Sequence, residues 1–246
     1  MDEMVYLAMT GAKQIEYAQT VNNNNLANIS TTGFRADMHA YSSEPIAGPG
    51  VDSRINAVAE SYRTDFAQGP VVSTGRDLDI AIQGSGFVAV QAPDGTEAYT
   101  RAGDLRIGSG GVLETGAGHL VLGNAGPVAI PPATSVLIGT DGTISIQPLG
   151  QGPETVATLD RIKLVDPDAT TLMKGGDGLM RLPEGETAVP SASVRVTSGA
   201  LEGSNVNAAQ TLVNMIELSR QYEMHVNVMR TAQENADAAA QLLTLG

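Results

Sequence analysis

From Asn205 to Leu245 the chain runs without a proline, and the only glycines after Glu202 are Gly203 and the terminal Gly246. Within this run Met215, Tyr222, Met229, Ala236 and Leu243 recur every seven residues. Leu218, Ala232 and Ala239 follow three positions after Met215, Met229 and Ala236, and His225 breaks that second row. The spacing predicts one helix of about 40 residues, roughly 60 Å long at a rise of 1.5 Å per residue. Nothing else in the chain restricts the fold as much, because a heptad seam cannot be buried by the helix that carries it. Its cover is the N-terminal helix of the same chain, neighbouring chains, or both. A β-region of about 130 residues is only roughly 30 Å across, so the length favours packing against other chains.

The N-terminus carries a second periodic stretch. Met4, Leu7, Ala8, Gly11, Ile15, Ala18 and Val21 step by threes and fours, one stripe of an amphipathic helix. Asn22-Asn23-Asn24-Asn25 is expected to end it, since asparagine favours caps and turns over helix interiors. In Ser30-Thr31-Thr32-Gly33-Phe34, Gly33 is expected to adopt a backbone conformation that a Cβ would oppose.

Between Thr64 and Thr197 the pattern changes to strands and turns. Leu78-Asp79-Ile80-Ala81-Ile82 and Thr143-Ile144-Ser145-Ile146 alternate at period two, as half-buried strands do. Phe87–Val90 and His119–Leu122 predict more deeply buried strands. Asp94-Gly95, Asp141-Gly142 and Gly110-Gly111 are turn signals, and Gly175-Gly176-Asp177-Gly178 reads as a hairpin loop. The segment 41–63, with Pro45, Gly48, Pro49 and Gly50 at its start, reads as an extended connector.

Composition mainly excludes. Fourteen basic against 27 acidic residues leave a net charge of −13, which disfavours nucleic acid and anionic membrane surfaces. Cysteine is absent, so disulfides and thiolate metal sites are ruled out. No apolar run approaches the roughly 20 residues that span a bilayer, so no membrane insertion is expected. The opening Met1-Asp2-Glu3 does not look like a cleavable signal, which leaves the cytoplasm or an export route that cleaves nothing.

The chemistry-bearing residues do not converge either. His39, His119 and His225 lie in three different regions, with no metal-binding spacing among them. No nucleophile elbow or phosphate loop is present. The expectation is a chain that is not an enzyme, with no catalytic residue, no cofactor and no metal.

The two ends carry a specific pattern. Asn24-Asn25-Leu26-Ala27-Asn28 followed by Thr31-Thr32-Gly33-Phe34-Arg35 resembles the N-terminal signature of the bacterial flagellar rod and hook proteins. Leu201-Glu202-Gly203-Ser204-Asn205-Val206-Asn207 resembles that family's entry into its C-terminal helix. Thr64-Asp65-Phe66, Gly69-Pro70, Thr74-Gly75, Gly84-Ser85-Gly86-Phe87 and Tyr99-Thr100-Arg101-Ala102-Gly103 extend the similarity over nearly the whole chain. The segments Met1–Tyr6, Met9–Gln14 and Glu223–Met229 are most similar to proximal-rod members. Distal-rod or hook-type members are the near alternative, and a secreted β-rich adhesin is a more remote one.

This resemblance implies an α+β fold in three parts. Residues 1–35 with 200–246 would form a discontinuous, coiled-coil-like helical domain, 36–75 an extended connector, and 76–199 a mostly antiparallel β-rich outer domain. It implies a structural subunit of the basal-body rod that assembles helically and transmits torque from motor to hook. Its partners would be copies of itself and other rod proteins, with the flagellar type III export apparatus during secretion and the periplasmic rod as destination. The assembly contacts would come from Met4, Leu7, Gly11, Ile15, Ala18 and Val21 on the first helix. Asn25, Leu26, Asn28, Gly33 and Phe34 would contribute from the segment after it. Asn205, Val206 and Asn207 would do so at the C-terminal entry, and Met215, Leu218, Tyr222, Met229, Ala236 and Leu243 along the long helix. The four asparagines at positions 25, 28, 205 and 207 either bond between subunits or cap helix ends.

Overall fold

A computed structural model of the chain describes residues 2–45, 55–150 and 155–244. The chain divides into two compact units, one drawn from Met1–Ile29, Ala36–Asp65 and Val206–Gly246, the other from Ser30–Arg35 and Phe66–Asn205.

The first unit holds helix α1 (Asp2–Ala27), strands β1 (Asp37–Pro45) and β2 (Ile55–Thr64), and helix α2 (Ala208–Thr244). At 37 residues α2 is the long helix that the heptad spacing predicts. The Asn207 Oδ1 accepts the Gln210 N–H at 3.2 Å and so caps its first turn. The two helices run antiparallel. Gly11 of α1 lies against the His225 ring of α2, where an added Cβ would come within 2.4 Å of it. Eleven residues further along α1, the Asn22 amide donates to the Thr211 carbonyl at 2.9 Å.

α1 does not stop at its asparagines. Asn22 is buried in the helix pair, and Asn25 clasps the Asp37 backbone, donating to its carbonyl and accepting its N–H, both at 2.8 Å. Partners outside the helix thus outweigh the weak intrinsic preference of asparagine for the helical state. The turn tightens only beyond them, where the Asn28 amide donates back to the Asn24 carbonyl at 2.9 Å.

The stretch expected as a connector is a hairpin. β1 and β2 pair antiparallel from Asp37↔Thr64 to Pro45↔Ile55, with one register shift between Ala40 and Tyr41. Pro45 closes β1, and Gly48, Pro49 and Gly50 fall among residues 46–54, outside the described residues. The segment expected as an extended connector therefore contains two paired strands.

The second unit is built from antiparallel ladders. Its strands are β3 (Val71–Ser73), β4 (Ile80–Gln83), β5 (Phe87–Gln91), β6 (Glu97–Thr100), β7 (Leu105–Ile107), β8 (Leu113–Thr115), β9 (Leu120–Val121) and β10 (Ala133–Ile138). They continue as β11 (Thr143–Pro148), β12 (Ala157–Arg161), β13 (Leu164–Val165), β14 (Met173–Lys174), β15 (Met180–Arg181), β16 (Arg195–Ser198) and β17 (Ala200–Glu202). The largest sheet has the order β14-β15-β6-β5-β9-β8-β7, with β13 also on β5. Smaller sheets join β10-β11-β12, β16-β4 and β17-β3.

β5 explains the run of buried residues at its centre. Val88 and Val90 face one apolar cluster with Leu105, Leu113, Val121 and Ile144, while Phe87 and Ala89 face a second with Tyr99, Val165 and Met180. Successive side chains of a strand point to opposite faces, so a strand between two cores has no polar side. β4 departs from the expected half-burial, with Ile80, Ala81 and Ile82 all buried. β11 keeps its alternation, Ile144 and Ile146 inward.

Two of the turns are built alike. In Asp94-Gly95-Thr96 the aspartate accepts from both the N–H and the hydroxyl of Thr96, at 2.9 and 2.6 Å. Asp141-Gly142-Thr143 repeats this at 3.1 and 2.7 Å. The glycines take φ of 84° and 83°, the left-handed region that a side chain opposes. The threonine donors hold both carboxyls below the usual carboxylate range.

Candidate functional site

Among the described residues no three His, Cys, Asp or Glu side chains stand where they could hold a metal ion, and no helix is long and apolar enough to cross a membrane. Two features of the fold remain to carry a function: the faces of the helix pair, and a buried cluster of charges in the second unit.

On α1, Ala8, Ala12, Ile15, Ala18 and Val21 are buried. The small residues Ala8, Gly11, Ala12 and Ala18 let the helices approach closely. On α2 the heptad positions Met215, Leu218, Met229 and Ala236 are half-buried. They share one stripe with Thr211, which meets Asn22, and with His225, which meets Gly11. The seam read from the sequence therefore lies along α1 of the same chain. Tyr222, on that stripe, remains 41% exposed, and Leu7 on α1 is 42% exposed. Met4 and Leu243 lie in α1 and α2. Leu26 is half-buried behind the asparagines, as is Val206 ahead of α2.

The heptad rule finds one stripe and misses the rest. Leu212, Val213, Ile216, Met224, Val226 and Val228 of α2 are exposed, as are Tyr6, Met9 and Tyr17 of α1. At 100° per residue these α2 positions lie on several sides of the helix away from the seam. The signal that could have revealed them is the density of apolar residues between 212 and 229, independent of their period.

The four asparagines find partners within the chain. Asn25 holds Asp37, and Asn28 bonds back to Asn24. Asn205 donates to the Ala67 carbonyl at 3.1 Å, and Asn207 caps α2.

The second feature gathers the signature motifs on one carboxylate. Glu202, fully buried at the end of β17, accepts the Arg101 Nη1 at 2.9 and 3.2 Å, the Gly69 N–H at 2.9 Å, and the Arg35 Nη2. Arg101 also donates its Nε to the Gly86 carbonyl at 2.9 Å and its Nη2 to that of Gly84. Arg35 and Arg101 are only 2% and 5% exposed. Burial pulls the Arg101 guanidinium below its ordinary value, and the Glu202 carboxylate opposes that shift. Gly33 passes over the same place with φ of 68°, where a Cβ would lie 2.2 Å from the Arg101 carbonyl carbon. Phe34 sits under the Lys174 ammonium, 3.9 Å from the ring centre, and Lys174 also donates to the Arg35 carbonyl at 2.8 Å. Ser30–Arg35 and the residues of β17 thus belong with the β unit, although their position in sequence suggested the helical part.

Known proteins place the chain. Residues 197–242 match the family described as flagellar basal body rod FlgEFG protein, C-terminal. Residues 81–146 match the flagellar hook protein FlgE/F/G D1 domain. The flagellar basal-body rod protein FlgF of Salmonella typhimurium is 39% identical over 251 aligned residues, covering all of both chains. FlgF of Escherichia coli is 39% identical over the same span. FlgG of Bacillus subtilis is 30% identical over 94% of this chain and 95% of its own. The chain belongs to the family of flagellar basal-body rod proteins.

Proposed function

We propose that the chain is a structural subunit of the bacterial flagellar basal-body rod and acts by assembly, not catalysis. The observation that carries the reading is the apolar surface that α2 keeps after α1 has packed on it. A helix with apolar residues on several sides is a buried helix, and α1 covers one side. Other copies of the chain and other rod proteins supply the remaining cover. Each large apolar side chain taken out of water contributes about 1.5–3 kcal/mol, so several together outweigh the ordering of the subunit on the growing structure.

In this reading the terminal helices make the supercoiled core of a hollow, helical rod and the β unit faces outward. Association that joins two different surfaces extends into a helical assembly where its rotation does not close a ring. The subunit works in the periplasm, reaches it through the flagellar type III export apparatus without cleavage, and passes torque through interdigitated helices that resist shear. A proximal-rod place is supported by the higher identity to FlgF, 39%, than to the FlgG of Bacillus subtilis, 30%.

The test separates assembly from folding. Val213→Asp with Ile216→Asp changes only exposed positions. The purified double variant should keep its circular dichroism and melting profile within the small range of surface substitutions, about 0.5 kcal/mol. In cells lacking the natural copy it should stay out of purified basal bodies and leave the cells non-motile. Normal incorporation of this variant would remove the basis of the reading.

A further inference from the structure

We propose that Arg35, Glu202 and Arg101 form a releasable latch, in which Arg35 is the bolt that holds the strap Ser30–Arg35 in the β unit. The three members are not equivalent. Arg101 is anchored by the Gly84 and Gly86 carbonyls whether or not the strap is present. Glu202 is anchored by the Gly69 N–H and by β17 pairing with β3, where it stands opposite Val71. Arg35 reaches the cluster through one ion pair to Glu202, and its buried Nε has no partner.

The charge balance points the same way. With Arg35 seated, two guanidinium groups share one carboxylate in a region closed to water. Without it, Arg101 and Glu202 remain as a two-bonded neutral pair, and no charge is left uncompensated. A buried pair normally resists opening because one partner is stranded; here the departure of Arg35 strands nothing. The arrangement therefore permits the strap to leave while the β unit stays folded.

The rest of the strap has little apolar anchorage. Ser30, Thr31, Thr32 and Gly33 offer no large apolar side chain, and Phe34 is only half-buried. Main-chain ties include the Gly33 N–H to the Glu202 carbonyl at 2.8 Å and the Asn205 N–H to the Phe34 carbonyl at 3.3 Å. Lys174 adds its bond to the Arg35 carbonyl. A segment with few buried apolar groups opens locally, ahead of the unit around it.

The latch is tested in the full chain by amide hydrogen exchange in three proteins. In Arg35→Met the Gly33 and Asn205 amides should exchange about tenfold faster or more than in the natural protein, on the scale of local opening. The Ala89 amide, bonded to the Lys163 carbonyl within the core of the unit, should keep its rate. Arg35→Lys, which keeps the charge but loses the planar fork, should fall between the two. Unchanged exchange at Gly33 in Arg35→Met overturns the proposal, because something else then holds the strap. Faster exchange at Ala89 as well, or global unfolding, also overturns it, because Arg35 is then an ordinary part of the core.

Discussion

In the β unit Val88, Leu105, Leu113, Val121 and Ile144 are wholly shielded from water, whereas on α2 Leu212, Val213, Ile216 and Met224 keep about half of their surface exposed. Both regions are rich in apolar residues, and they differ in what is left over once the chain has folded. The β unit closes on itself, with two apolar clusters on opposite faces of β5 and polar turns fixed by their own aspartates. The helix pair closes along one seam and stops. Burial that is complete within a chain specifies a fold; burial left incomplete specifies a neighbour.

The sharpest way to break this contrast is through the charges. Glu202→Gln leaves Arg35 and Arg101 buried without a counter-charge, and removing one member of a buried pair costs about 3–5 kcal/mol. Urea denaturation should show the β unit losing stability on that scale. A loss under about 1 kcal/mol would mean that water reaches the cluster and that its burial is not what holds the strap.

Next in size is a pair of matched truncations. Leu113→Ala removes a fully buried side chain and should cost about 2–5 kcal/mol. Leu212→Ala removes the same atoms from an exposed site on α2 and should change the stability of the free chain by no more than about 0.5 kcal/mol. Equal losses in the two melts would show that α2 is already covered in the free chain, and the distinction between the units would fall.

The smallest effect is the pH response of the β unit. The turn carboxyls of Asp94, Asp141, Asp168 and Asp177 are held below the usual carboxylate range by the threonine and main-chain donors, and in Asp177 first by Arg181. A depressed folded-state value means that the ionised form stabilises the fold. That contribution is present above the unfolded value near pH 4 and is lost as pH falls through the folded values. Asp104 has the opposite sign. Burial raises its carboxyl, with Asp79 adding to the shift, so its ionised form opposes folding at neutral pH. Asp104→Asn should therefore raise the melting temperature slightly at pH 7. The gain should fade on acidification, once the natural carboxyl is protonated too; a gain that persists in acid would point to packing instead of charge.

The helices and the β character of the middle were legible because they rest on local rules: a seven-residue period, an alternating strand, an Asp-Gly turn. What escaped the sequence depends on partners far along the chain. Asn22 and Asn25 looked like a helix end until Thr211 and Asp37 met their side chains. The residues around Pro45 looked like a connector because proline and glycine signal breaks, without saying that strands on either side pair. The seam was visible, but a heptad does not state which helix fills it. Arg35, Arg101 and Glu202 stood inside the quoted motifs, yet their meeting spans separations of 167 and 101 residues, which no short pattern encodes.

The strap also bears on the order in which the molecule is made. A chain synthesised from its N-terminus exposes Arg35 early, while the carboxylate that receives it is added only after β3 to β16 have emerged. Contacts of such wide separation form slowly, since a long loop must close before they repay it. The segment behind α1 therefore waits, undocked, until the β region is nearly complete, and its seating marks the moment at which that region is whole.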